Sequence, residues 1–201
     1  MAVAVNARHA LDLDEVLLVV ANVPWQKVGS RAISPPEDRL AMVQAAVGDV
    51  EGLEPCDLEI RRGGDSYTAD TLAELHAAEP DAELFVILGS DAAAGLDTWT
   101  RAEEVRRRAT VVVVERPGEQ AAPPPAGWRV RRVECPRLEV SSTDLRARVA
   151  TGRPLDFLVP DAVISCIEGR HLYRSGPGGE STSEDPPPPD DRAPAPVRTD
   201  R

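Results

Sequence analysis

Short runs of consecutive apolar residues, each followed by a stretch of helical character, set the tightest limit on what this chain can fold into. Residues 15–21 contain Val16, Leu17, Leu18, Val19 and Val20, residues 84–88 are apolar throughout, and residues 110–114 hold Val111 to Val114. Successive side chains of a strand point to opposite sides, so a strand apolar at every position has both faces in the core. The intervening segments have helical spacing at residues 2–11, 68–78, about 101–108, 142–149 and 161–167. Residues 34–47 add a further helix, opened by Ser34, Pro35, Pro36 and Glu37 as a capping box with prolines in the first turn. Cys56, Leu58 and Ile60 alternate with polar residues, which predicts a strand with one wet face, and residues 130–140 hold strand-like pieces. Fully apolar strands alternating with helices predict an α/β fold, a doubly wound parallel sheet covered on both faces.

Composition sets the boundaries. Within 201 residues, residues 1–174 form one folded domain without an internal repeat, and residues 175–201 form a tail. That tail is rich in proline, glycine and acidic residues and holds one aliphatic larger than alanine, Val197. Such a segment cannot bury enough surface to offset its ordering entropy, so disorder is expected there. The three cysteines, Cys56, Cys135 and Cys166, have no C-x-x-C spacing, which excludes a disulfide framework or zinc site as the expectation. A net charge of −11 argues against a nucleic-acid surface, though a nucleotide pocket needs only a few local cations. No run approaches the roughly 20 apolar residues that span a membrane, and the start lacks a signal pattern, so a cytoplasmic location is expected. Assembly into a homo-oligomer is compatible with all of this.

In doubly wound sheets ligands bind beyond the carboxyl ends of the strands, and the unusual residues of this sequence gather there. After the first strand come Asn22, Pro24, Trp25, Gln26 and Lys27; after the second come Arg61 to Thr68. Gly89, Ser90 and Asp91 follow the 84–88 run, with Asp97, Thr98 and Trp99 shortly after, and Arg116, Pro117 and Gly118 follow the 110–114 run. Trp25, Tyr67 and Trp99 stand in polar loops, where a ring can either cap the core edge or stack on a heterocycle. Lys27 is the only lysine among 23 basic residues, a compact cation of the kind that suits phosphate. Ser141, Ser142 and Thr143 open a helix whose first amides and dipole attract anions, with Arg146 one turn on. Taken alone, that helix start is also an ordinary N-cap.

Together these segments resemble a known family. Residues 64–72, with Ser66, Tyr67, Thr68, Thr71 and Leu72, resemble the Ser-Tyr-Thr-x-x-Thr-Leu segment of bacterial nicotinate-nucleotide adenylyltransferases. Gly89, Ser90 and Asp91 followed by Thr98 and Trp99 resemble that family's Gly-x-Asp and Trp pair. Residues 140–146 resemble its Ile-Ser-Ser-Thr-x-Leu-Arg signature, and Leu172, Tyr173 and Arg174 match its usual ending. Pro24, Trp25, Gln26 and Lys27 look like the actinobacterial form of its Pro-x-His-Lys loop, with Gln26 in place of the histidine. The resemblance covers residues 1–174 and implies a Rossmann-like nucleotidyltransferase domain. It implies AMP transfer from ATP, accompanied by Mg2+, to nicotinate mononucleotide, giving deamido-NAD and pyrophosphate.

The resemblance also implies roles. Trp99 stacks on the nicotinate ring, main-chain amides near Thr68 and Trp99 receive its carboxylate, Tyr67 borders the same site, and Asp91 holds the ribose or orients the phosphate. Gly89, Ser90, Ser141, Ser142, Thr143 and Arg146 bind ATP, and Lys27 and Arg146 are the catalytic cations. One departure stands out. Family members begin with a strand and a Gly-Gly-Thr-Phe-Asp-Pro-x-His-x-Gly-His segment, whereas this sequence opens inside the helix that follows it, and His9, His76 and His171 form no such pair. A start assigned downstream or a deletion would each account for this, and a chain beginning at Met1 is expected to be poorly folded and inactive. Two alternatives stay open, a related phosphopantetheine-type adenylyltransferase and a non-catalytic nucleotide-binding remnant.

Overall fold

Strands β1 (Val16–Val19) and β2 (Leu53–Cys56) pair in parallel, as do β3 (Leu84–Gly89), β4 (Ala109–Glu115) and β5 (Val130–Glu134), so the strands form two parallel sheets of order β1-β2 and β3-β4-β5. The structure, a computed structural model, describes residues 1–24, 33–48, 50–115 and 122–174. Helices α1 (Ala2–Leu11), α2 (Pro36–Val47), α3 (Leu58–Arg62), α4 (Thr68–Ala78), α5 (Ser90–Ala94), α6 (Ala102–Arg108), α7 (Ser142–Ala150) and α8 (Asp161–Gly169) connect and cover them. A 3-10 turn, Leu96–Thr98, joins α5 to the Trp99 segment. The α/β expectation holds, with strands and helices alternating in parallel order. The single sheet expected from the sequence is divided, because β1 and β3 each pair only on the side away from the other.

Strand β4 shows why its apolar run sits where it does. Val111 and Val113 face one core cluster with Ala69, Leu72, Leu96, Val105 and Trp128, while Val112 and Val114 face another with Val133 and Cys135. The alternation places α4 and α6 on one side of the sheet and Leu11 of α1 on the other, so every position from Ala109 to Val114 is buried. A further cluster ties α1 to the first sheet through Ala4, Val16, Val47 and Leu53, and α8 packs on α2 and α7 around Leu155, Val163 and Ile167. The three cysteines are free, and burial pushes the Cys135 thiol above its ordinary value. No helix of the described residues is long and apolar enough to cross a membrane.

Local expectations are corrected in places. Leu58 and Ile60 do not continue a strand: β2 ends at Cys56 and they belong to α3. The cause is a tertiary polar network. Buried Glu59 accepts a hydrogen bond from Thr71, and Arg62 reaches Thr71 Oγ1 at 3.1 Å and Glu74 Oε1 at 2.8 Å, fastening α3 to α4. Ser34 forms no capping box with Glu37, since Pro35 occupies the N-cap of α2 and Ser34 Oγ donates to Tyr173 Oη at 3.0 Å. In the 130–140 stretch only Val130–Glu134 is a strand. The Pro and Gly residues near position 36 and at Gly48 bracket α2 as capping chemistry requires.

Candidate functional site

At the carboxyl end of the first sheet, the turns after β1 and after α3 are stitched together. The Asn22 amide donates to Ser66 Oγ at 2.8 Å and its side-chain amide to Gly64 O at 2.9 Å, while Ser66 N reaches Val23 O at 3.1 Å. Val23 and Asp65 form a parallel bridge. Arg39 then clamps both stems of the segment that follows β1. Its guanidinium donates to Ala21 O at 2.5 Å, to Asn22 O at 2.9 Å and, through Nε, to Ser34 O at 3.0 Å. Desolvation lowers the Arg39 pKa, yet a guanidinium stays charged, and its charge is spread over three carbonyl dipoles.

The stitched turns lead directly into the start of α4. Tyr67 is its N-cap residue in extended conformation, its hydroxyl lies 3.3 Å from Asp65 Oδ2, and Thr68 is the first helical residue. The first amides of any helix have no partner within it, so this start presents donors to whatever lies beyond. Asp70, in the first turn, pairs with Arg101 at 2.5 Å. Arg101 takes a left-handed backbone conformation (φ 56°) at the N-cap of α6, and its hydrogen bond to Asp70 raises its pKa. That pair draws the Trp99 turn toward the α4 start. Trp99 is half-buried and packs on the cluster containing Ala69 and Leu72, so its ring serves the core edge.

Gly89 ends β3 and caps α5, whose first residues are Ser90 and Asp91; the Asp91 side chain is exposed. The turn beyond α5 is braced by Trp128, whose indole Nε1 donates to Asp97 Oδ1 at 2.8 Å. On α7, Ser141 is the N-cap and its hydroxyl accepts from Asp144 N at 3.0 Å. Ser142 and Thr143 are exposed in the first turn, and Arg146 Nη2 reaches Thr143 Oγ1 at 3.3 Å. Leu145 and Val149 anchor this helix on the α8 cluster, leaving its N-terminus open.

The expected site residues therefore fall into two groups: Tyr67 and Thr68 with Trp99, and Ser141, Ser142 and Thr143 with Arg146. Gly89, Ser90 and Asp91 stand at the end of β3, between Thr68 and Trp99 in sequence. Trp25, Gln26, Lys27, Arg116, Pro117, Gly118 and the tail lie outside the described residues. Arg39, Asp70, Arg101 and Trp128 escaped the sequence reading. Asp70 stood inside a quoted motif, whereas Arg39 offered no signal beyond an arginine on a helix. Among the described residues no group of three or more His, Cys, Asp or Glu is gathered as a metal site.

Comparison with known proteins places the arrangement. Residues 1–148 match the family described as cytidylyltransferase-like. A Streptomyces coelicolor protein named "Probable nicotinate-nucleotide adenylyltransferase" is 47% identical over 165 residues, covering 81% of this chain and 86% of that protein. A Frankia alni protein of the same name is 45% identical over 166 residues, covering 82% and 87%. Among solved structures, the Plasmodium falciparum nicotinic acid mononucleotide adenylyltransferase complexed with APC shares the fold, with TM-score 0.65 at 15% identity over 85% of this chain and 88% of that one. The chain belongs to the nicotinate-nucleotide adenylyltransferases, within the cytidylyltransferase-like family.

Proposed function

We propose that the protein transfers AMP from ATP to nicotinate mononucleotide, giving deamido-NAD and pyrophosphate. The observation that carries the reading is the start of α4, tied to the Trp99 turn by the Asp70–Arg101 ion pair, with the half-buried Trp99 packed on the cluster that includes Ala69. A planar apolar wall beside helix-start amides suits a flat ring bearing a carboxylate. Trp99 stacks on the nicotinate ring, and the amides near Thr68 and Trp99 receive its carboxylate. Asp91 holds the ribose or orients the mononucleotide phosphate. Gly89 and Ser90 border the ATP, and Ser141, Ser142, Thr143 and Arg146 grip its phosphates.

The chemistry needs no protein nucleophile. A phosphate oxygen of the mononucleotide attacks the α-phosphorus of ATP in line; that P–O bond forms as the bond from the α-phosphorus to the bridging oxygen breaks, and the electron pair leaves with pyrophosphate. Positioning and electrostatic stabilisation supply the catalysis. Arg146 at the α7 start and Lys27 neutralise the charge that develops on the phosphates. Mg2+, which the family resemblance implies, would enter with ATP and neutralise phosphate charge.

Pyrophosphate release from ATP with nicotinate mononucleotide, nicotinamide mononucleotide or phosphopantetheine tests the reading. Nicotinate mononucleotide is expected to have the highest kcat/KM, because helix-start amides favour a carboxylate over a carboxamide. Equal efficiency for the two mononucleotides would remove the carboxylate argument, and preference for phosphopantetheine would replace the whole reading. Trp99→Ala is expected to weaken mononucleotide binding by about 1–3 kcal/mol through lost stacking and burial. Titration calorimetry reads this directly, and an unchanged Kd would show that the ring does not contact the ligand.

A further inference from the structure

Arginine stands at the N-cap of α6 against its local preferences. Arg101 holds a left-handed backbone conformation (φ 56°), and its side chain makes no cap hydrogen bond. Left-handed backbone is disfavoured for a residue with a Cβ, and a cation at the positive end of a helix dipole is disfavoured again. What the side chain gains is Asp70, the third residue of α4, which Arg101 Nη2 meets at 2.5 Å. The two side chains are 40% and 34% exposed, and an ion pair so wetted stabilises a fold little. Stability therefore does not explain an arginine here, and its neighbourhood does. The Tyr67 hydroxyl lies 3.3 Å from Asp65 Oδ2, so two carboxylates, Asp65 and Asp70, stand at the start of α4. Desolvation raises the Tyr67 pKa, both carboxylates raise it further, and Arg101 opposes them. The guanidinium thus acts on the same end of α4 as the two acids. Arg62, a second arginine in contact with α4, is held between Glu59 and Glu74 instead.

We propose that Arg101, oriented by Asp70, determines the preference for a carboxylate over a carboxamide on the mononucleotide ring, a role that rests on the reading of the Trp99 turn and the α4 start as the mononucleotide site. Arg101 follows Trp99 by two residues, and its ion pair ties that turn to α4, so the charge is fixed where turn and helix start are joined. Helix-start amides favour an anion, yet they also donate to a carboxamide oxygen, so their discrimination is modest. A full positive charge separates the two groups, since only the carboxylate is an anion. Asp65 and Asp70 sharpen the need. Without a cation beside them they repel an incoming carboxylate and leave a neutral carboxamide unaffected. The guanidinium meets Asp70 through one nitrogen, which leaves further N–H donors of its planar fork for the ligand. Asp70 is a positioning residue, holding the arginine side chain in one orientation.

The test measures dissociation constants of the full chain for nicotinate mononucleotide and nicotinamide mononucleotide by titration calorimetry, at low and at high salt. The unaltered protein is expected to bind the nicotinate form about tenfold tighter or more, an advantage that shrinks as salt rises. Arg101→Met keeps the bulk and removes the charge. It should cut that ratio by about tenfold, through weaker nicotinate binding alone, and abolish its salt dependence. Arg101→Lys should restore part of the ratio, since it keeps the charge and loses the fork. Asp70→Asn, which keeps the cation and removes its anchor, should lower the ratio by less than Arg101→Met. An unchanged ratio in Arg101→Met, or equal weakening of both ligands, would overturn the proposal and leave Arg101 as a brace of the turn. A ratio of one in the unaltered protein would overturn the carboxylate reading of the site together with the role of Arg101, so the two failures are told apart. Should Arg101→Met fail to fold, salt decides: a ratio in the unaltered protein that does not respond to salt would show that no such charge selects the ligand.

Discussion

Arg146→Ala is expected to lower kcat/KM for ATP by about 10²–10³-fold, the cost of deleting one preorganised donor to charge that develops in the transition state. The guanidinium stands one turn into α7, beside the Thr143 hydroxyl and behind the amides that Ser141 leaves open at the helix start. A helix N-terminus attracts anions through its free amides and its dipole, and an arginine fork adds a planar, charge-assisted contact to phosphate oxygens. The variant should fold normally, because α7 has no buried residue and its hold on the protein runs through the half-buried Leu145 and Val149. Arg146→Lys should recover part of the loss, since it keeps the charge and loses the bidentate geometry. Steady-state kinetics beside a thermal melt separate these outcomes. An alanine variant with unchanged kcat/KM and an unchanged melt would show that the α7 start does not hold the ATP phosphates.

Much of the fold was legible because it rests on period and punctuation. Helix α4 spans Thr68–Ala78 as its spacing implies, and the apolar runs became β3 and β4. The misses share one physical cause, tertiary contacts that outrank local pattern. Leu58 and Ile60 have strand spacing, yet the bond between buried Glu59 and Thr71 makes a helical turn the better solution. Ser34 has capping chemistry, yet Tyr173 from the end of the domain takes its hydroxyl. The loops proposed to carry the site could be found because they follow strands. The bracing could not, because Trp128 and Asp97 stand 31 positions apart and Arg39 is an ordinary helix arginine until three carbonyls converge on it.

Leu96→Ala is expected to cost about 2–5 kcal/mol of stability, the range for truncating a fully buried leucine that leaves a cavity. Leu96 is 0% exposed and packs among Ala69, Leu72, Ala93, Val105, Val111 and Val113. The loss is large beside the total of about 5–15 kcal/mol that a domain of ordinary stability has. A second consequence separates this leucine from other core positions. Trp99 N donates to Leu96 O at 3.1 Å, and the Trp99 ring packs on the same cluster, so a cavity at Leu96 undercuts the wall beside the α4 start. Denaturant unfolding should show a lower midpoint with an unchanged slope, and KM for nicotinate mononucleotide should rise while KM for ATP stays constant. Leu96→Met, which conserves volume, should cost less than about 1.5 kcal/mol. Phe157 supplies the opposite case: its side chain is 103% exposed, and Phe157→Ala should change stability by no more than about 0.5 kcal/mol despite removing a larger apolar group. A Leu96→Ala variant as stable as Phe157→Ala would mean that the cluster beneath Trp99 relaxes to fill the space, and that the site is not held by the packing described.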